Sequence, residues 1–372
     1  MDERLSVYQG CMLGLAVGDA MGAGVDDRSL QEICDDYGPD GLLGYDLVNG
    51  FAEVSSYTQV AAFAINGLLV TMAKGQLRGP FMPGITMALK EWARSQYFPR
   101  ETEARTCWLC HEKHMRQRRI MDSRTLDTLT RDVLGTPERP ANNATGPGTL
   151  PAAVTAGLLF APERMEPGDV GELGAQIVAL THGDRVAFLS GAVLAYIIAG
   201  IVQDREASLE SQFLNAAEAV EAQFSQFVEA EALHERICRA VNVAKNGTQE
   251  PIDVMEKLRC MDCGEVLCGA IYACLVTQED FDRAMIVSIN HSGKSAAVGA
   301  VTGAILGAHL GVEALPEFYL ECLDAGDVVR ELTTDLFSCS PGKVTRRLFD
   351  DDWDRKYVHG QPVERHGWMD EI

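Results

Sequence analysis

The sequence predicts an all-α fold, a compact bundle of helices, and three observations carry the prediction. Apolar residues recur at helical spacing in seven segments. Alternating runs of Val, Ile and Thr bounded by turn residues are almost absent. Gly-Pro turn chemistry falls between the segments. In chain order the helical stretches are 8–17, 60–72, 188–202, 209–228, 233–243, 266–276 and 296–310. Several are rich in Ala and Gly, as in Ala300-Val-Thr-Gly-Ala-Ile-Leu-Gly-Ala-His-Leu310, and small residues four apart let helix backbones approach closely. The most apolar stretch, 186–202, is short for a membrane span and is expected to be a buried helix. Turns are set by Tyr37-Gly-Pro-Asp-Gly41, Arg78-Gly-Pro80, Thr145-Gly-Pro-Gly148 and Glu166-Pro-Gly-Asp169, and 135–151 is the longest irregular segment. No repeat or charge run marks an internal boundary. Residues 1–345 are therefore expected to form one domain, and 346–372, with Trp353, Tyr357 and Trp368, a polar tail packed on it.

At 372 residues and 47% hydrophobic, the chain can bury a sizeable core without disulfides. Its 54 acidic and 32 basic residues leave a formal net charge of −22, which repels nucleic acid and anionic membrane surfaces. The plain reading of that charge is solubility, as in bacterial cytosolic proteins. The start, Met1-Asp2-Glu3-Arg4, lacks the basic and then apolar pattern of a signal peptide, so a cytoplasmic protein is expected. The 11 cysteines are odd in number and scattered through apolar stretches, Cys268 and Cys274 among them, which suggests reduced core thiols.

Five segments, taken in order, carry a resemblance. Gly10-Cys-Met-Leu-Gly-Leu-Ala-Val-Gly-Asp-Ala-Met-Gly22 has the form G-x-x-x-G-x-x-x-G-D-A-x-G. It is followed by Ser55-Ser-Tyr-Thr-Gln59, Gly146-Pro-Gly-Thr-Leu150, Thr181-His-Gly-Asp-Arg185 and Asn290-His-Ser-Gly-Lys-Ser-Ala-Ala-Val-Gly299. Together they resemble the ADP-ribosylglycohydrolase family over roughly residues 5 to 340, in the family's own order. The resemblance implies an all-helical orthogonal bundle with an ADP-ribose cleft lined by these loops. In active relatives two Mg²⁺ or Mn²⁺ ions sit on its floor, held by a Thr-Asp-Asp run and an Asp-x-Asp-Ser/Thr run.

Hard divalent cations want several oxygen ligands, and two neighbouring cations need shared negative charge to stay together. Here the first run aligns as Ser55, Ser56 and Tyr57, and the second as Lys294, Ala296 and Ala297, so all four carboxylates are gone. An ammonium about 4 Å from a divalent cation costs several kcal/mol even at an effective dielectric near 20. No metal is therefore expected.

Two readings stand for Lys294: it replaces a cation electrostatically, neutralising Asp19 or Asp26 or holding a phosphate, or it fills space and snorkels to solvent. Asp26 stands where active relatives have an acidic residue that handles water or substrate. It is either catalytic or the cap of the next segment. The resemblance makes Asp19, Gly146, Gly148, His182, Ser292, Gly293 and Lys294 candidate ligand-binding residues. Gly146 and Gly148 would offer N–H groups to a pyrophosphate, although Pro147 removes one donor. His182 lies either beside the cleft or in the core.

Other signals weigh less. Cys107-Trp-Leu-Cys110-His111 matches a c-type haem motif but needs an exported chain. With Cys260 and Cys263 the pair Cys107 and Cys110 could make a four-thiolate zinc site. The basic run His114-Met-Arg-Gln-Arg-Arg119 reads as a solvated helix face. Three functional readings result: a pseudoenzyme binding ADP-ribose, a related nucleotide or an ADP-ribosylated protein; a metal-independent hydrolase of a glycosidic bond; and a scaffold with a vestigial cleft.

Overall fold

The computed structural model describes residues 2–98, 106–119, 122–161, 164–340 and 350–363. Among them lie eighteen α-helices and no strand, only isolated bridges at Val48–Phe51 and Ala52–Leu323. The first nine are α1 (Glu3–Ala23), α2 (Leu30–Tyr37), α3 (Ser56–Ala73), α4 (Met82–Tyr97), α5 (Lys113–Arg116), α6 (Ser123–Leu129), α7 (Val154–Leu159), α8 (Pro167–Ala179) and α9 (Arg185–Gln203). The remainder are α10 (Leu209–Gln223), α11 (Val228–Asn246), α12 (Pro251–Leu258), α13 (Cys263–Val276), α14 (Phe281–Ile289), α15 (Ser295–Leu310), α16 (Glu317–Cys322), α17 (Gly326–Ser338) and α18 (Asp351–Tyr357).

Helices α1, α3 and α15 are apolar or small around their whole circumference, which only an interior helix tolerates. Every residue from Ser6 to Gly22 of α1 is buried, as is every residue from Ser56 to Met72 of α3. The centre of the molecule is the antiparallel pair of α1 and α15, whose backbones touch through glycine. A Cβ added at Gly10, Gly14 or Gly18 would fall 2.0, 2.1 or 1.9 Å from the carbonyl oxygen of Gly307, Gly303 or Gly299 respectively. The four-residue glycine spacing therefore serves a packing purpose that needs no ligand. It also fixes the end of α1 against the start of α15.

Helix α9 is the one described helix long and apolar enough to cross a membrane, with mean hydropathy 2.1, yet 72% of it is buried inside the protein. It packs against α7, α8 and α10. No disulfide joins any of the eleven cysteines, and most are buried.

Two expectations need correction. The apolar pattern of 209–228 runs through a break: α10 ends at Gln223, and the chain turns so that Phe224 is buried and Phe227 meets Phe188 edge-on at 5.6 Å. Aromatics in a turn mimic helical periodicity when they serve the same core. The basic run 114–119 is not a solvated helix face either. Only Lys113–Arg116 is helical, Met115 is buried, and Arg119 turns inward to Asp324 (2.6 Å) and to Glu53. Within 346–372 the described residues 350–363 hold α18, with Trp353 and Tyr357 buried. Lys356 of α18 binds Asp335 and Glu331 of α17, and Tyr357 donates to Asp335 at 2.7 Å. Residues 346–349 and 364–372, Trp368 among them, lie outside the described residues.

Candidate functional site

The last turn of α1 and the loop after it carry two aspartates, and each is aimed at the N-terminus of another helix. Asp19 is completely buried and accepts from the backbone N–H of Ser55 (2.9 Å) and Thr58 (3.0 Å), from Thr58 Oγ1 (2.6 Å) and from Ser55 Oγ. It thus holds the start of α3, where orphan N–H groups and the helix dipole favour a negative charge. Asp26 accepts from the N–H of Ala296 (3.1 Å) in the first turn of α15. Burial pushes both carboxyls up to about 6, against the hydrogen bonds that favour the charged form. The capping reading of Asp26 thus fits the geometry, but the helix capped is α15, not the segment that follows Asp26.

Ser55, Ser56, Tyr57, Lys294, Ala296 and Ala297 are these same two helix N-termini. Ser55 is the N-cap of α3, and Ser56 and Tyr57 follow it, all three buried. The Tyr57 phenol is held far above its usual range by burial and then by Asp26, Asp122, Asp19 and Asp27, so it is a buried neutral group at the start of α3. Lys294 caps α15 through its backbone. Its ammonium binds neither Asp19 nor Asp26 but forms an ion pair with Asp27. A cation at a helix N-terminus opposes the dipole, and reaching outward to an exposed carboxylate relieves that. Ala296 and Ala297 are completely buried.

A second cluster surrounds the 145–148 loop. His182 is completely buried, with Nε2 3.0 Å from Asp122 Oδ2 and Nδ1 2.8 Å from Thr181 Oγ1. Burial alone would raise the Asp122 carboxyl. The bonds from His182, from Thr125 Oγ1 and N–H, and from the Arg124 N–H outweigh it and hold it at about 2. Gly148 is wedged into this cluster: a Cβ there would lie 1.9 Å from Thr125 Oγ1. Gly146 is open, its only neighbour His182 Nε2 at 3.9 Å from such a Cβ, and its carbonyl accepts from Cys263 Sγ at 3.0 Å.

Ser292 and Gly293 are brought to a different task. Ser292 Oγ accepts from the Leu30 N–H (2.8 Å) at the start of α2 and donates to Glu256 (3.0 Å). A Cβ on Gly293 would lie 2.3 Å from the Arg259 carbonyl, and the Lys294 N–H donates to the Cys260 carbonyl at 2.9 Å. Asn290 bonds both backbone groups of Leu42, at 2.8 and 3.0 Å. Buried His291, pushed down to about 4 by desolvation, bridges Ser288 O (3.0 Å) and the Gly293 N–H (2.9 Å) as a neutral ring. This loop is thus held by internal bonds, and Ser292 and Gly293 have little left to offer a ligand.

An open cleft of about 300 Å³ adjoins the first cluster, walled by Ala23, Val48, Glu53, Ser55, Gln117 and Arg118. Sequence reading missed Asp27, Asp122 and Glu256. Asp122 alone left a signal: an Asp three residues before Thr125 and just ahead of an apolar pair is a helix N-cap pattern. The cysteine pairs do not assemble a zinc site: Cys107 and Cys110 sit beside Glu91, whereas Cys263 sits by Gly146. Among the described residues no three His, Cys, Asp or Glu side chains converge to hold a metal.

The raised Asp26 carboxyl has a measurable consequence. An acid whose folded pKa is raised above its unfolded value near 3.9 favours the folded state below that value and loses this contribution as pH rises through about 6. Asp26→Asn, which keeps an acceptor for Ala296, should therefore melt above wild type near pH 7.5, and the difference should shrink towards pH 5. His291, with its pKa lowered, works in the opposite direction but is common to both proteins and cancels. Melting curves of the pair at several pH values test this; a pH-independent difference counts against it.

The family model described as ADP-ribosylglycohydrolase matches residues 1–344. Among solved structures, one described as an ADP-ribosylglycohydrolase-related protein complex is similar at 21% identity and a TM-score of 0.53. The match covers 91% of this chain and all of that one, and what it shows is a shared fold. None of the curated proteins matches.

Proposed function

This chain belongs to the ADP-ribosylglycohydrolase family, and from that premise we propose that it is a non-hydrolysing member whose cleft binds ADP-ribose or a related nucleotide. One observation carries the loss of hydrolysis: the two helix N-termini that resemble the family's metal runs present Ser56, Tyr57, Lys294, Ala296 and Ala297. The carboxylates there, buried Asp19 and half-buried Asp26, accept from the N–H groups that open those helices. A metal pair does not fit this donor set. Hydroxyls and methyl groups supply no shared negative charge, the Lys294 ammonium adds a positive one, and a cation on Asp19 or on Asp26 Oδ1 would compete with the N–H groups those oxygens accept from. What supports retained binding is the 145–148 loop, pinned against His182 and Asp122 with Gly146 open, together with an open cleft at Ser55 that Arg118 and Arg119 line.

Purified protein is expected to release no ADP-ribose from an ADP-ribosylated protein with Mg²⁺, Mn²⁺ or EDTA. It should be stabilised by ADP-ribose to the same extent with Mg²⁺ and with EDTA. At about 100 times its dissociation constant a ligand adds about 2.7 kcal/mol, a clear shift in melting temperature. A magnesium-dependent gain in affinity would overturn the reading. A second reading, a metal-independent hydrolase, draws on Asp26, a half-buried carboxyl raised to about 6 as a general acid requires. It predicts turnover that resists EDTA and is lost in Asp26→Asn.

A further inference from the structure

Away from the α1, α3 and α15 termini, helices α11, α12 and α13 enclose a groove of about 320 Å³ that shares no residue with the cleft beside Ser55. Its wall is basic in a protein of net charge −22: Arg236 and Arg239 from α11 and Lys257 from α12. These cations are poorly neutralised. Arg239 forms no ion pair among the described residues, Lys257 Nζ reaches only the neutral Gln249 Oε1, and Arg236 meets Asp262 at 3.5 Å. The one acid in the wall, Glu265, is turned to the start of α13, where it accepts from the N–H of Met261 (3.0 Å) and Asp262 (3.3 Å). Between and beside the cations the lining is apolar, with Val243, Val254, Leu258 and the ring of Tyr272.

We propose that this groove is a binding site for a small organic phosphate: one phosphate group on a body the size of a nucleoside. Two guanidiniums and an ammonium exceed what a lone carboxylate would balance and suit a phosphate, which carries between one and two charges near neutral pH. The apolar wall accounts for a ring body, and a volume at the lower edge of small-molecule sites (about 300–1,000 Å³) accounts for a mononucleotide rather than a dinucleotide. The charge pattern also accounts for capture. In a protein of net charge −22, a concave basic patch is a place where an anion would settle.

The test is calorimetric titration of the full chain with AMP, with inorganic phosphate and with adenosine. AMP should bind saturably, at least tenfold more tightly than inorganic phosphate, and adenosine more weakly than either. Arg239→Glu, at an exposed position, should weaken AMP at least tenfold, and Val243→Trp, which fills the groove without changing charge, should do the same. Neither variant touches Tyr57, Gly146 or the cleft beside Ser55, so ADP-ribose binding there should be unchanged in both. No binding of AMP to wild type at millimolar concentration, or AMP affinity unaltered in both variants, overturns the proposal while leaving the cleft reading where it stood.

Discussion

Gly14→Val should yield little soluble protein, and even Gly14→Ala should lower stability by about 3 kcal/mol or more. The reason is geometric. The added Cβ would lie 2.1 Å from the Gly303 carbonyl oxygen, and that obstacle is backbone in the middle of α15, not the tip of a side chain that could swing away. Relief requires the two central helices to part. They are tied at three successive glycine pairs, so parting them at Gly14 also opens the packing at Gly10 and Gly18. For a chain of this length about 3 kcal/mol corresponds to a fall of ~4 °C in Tm. Gly44→Ala is the control, because its Cβ would meet nothing within 4 Å and its backbone is not in the left-handed region. Thermal and urea melts of Gly14→Ala and Gly44→Ala decide the matter; equal melting temperatures for both variants would refute the account.

Asp19→Ala should cost about 3 kcal/mol near neutral pH, and Asp19→Asn about 1 kcal/mol or less. In the alanine variant the N–H groups of Ser55 and Thr58 and the Thr58 hydroxyl lose their acceptor in a site with no exposure. An unsatisfied buried donor costs about 1–3 kcal/mol. Part of that is recovered, because the carboxylate itself is held in the charged form against burial. In the asparagine variant the amide oxygen can keep the three donors of Thr58 and the Ser55 backbone. The amide nitrogen then faces Ser55 Oγ, whose hydroxyl turns from donor to acceptor. The ordering therefore separates a capping role from a charge role. If Asp19→Asn proved as damaging as Asp19→Ala at neutral pH, the negative charge itself would be the essential feature.

Much of the fold was legible. The periodicity in 8–17, 60–72 and 296–310 marks helices that are interior on every side, because a helix apolar all round has no other stable place. It could not show the break at 224–227, since Phe224 and Phe227 serve the same core from a turn. The basic run 114–119 misled for a related reason: composition reports charge, not the position of Asp324, which lies about two hundred residues further along the chain. At the site, the loss of the four carboxylates is written in Ser56, Tyr57, Lys294, Ala296 and Ala297 themselves. What each remaining group does instead was not written there.

The sequence by itself determined the helical class, the family, and which side chains stand at the starts of α3 and α15, because these depend on residue identity and local spacing. Tertiary structure alone decided that Lys294 binds Asp27, that Asp19 and Asp26 cap helices begun far along the chain, and that His182 takes Asp122. These pairings join residues separated by tens to hundreds of positions. They are selected by burial, which makes an unpartnered charge or N–H costly and so fixes each polar group to whichever partner the packing of α1 on α15 brings within reach.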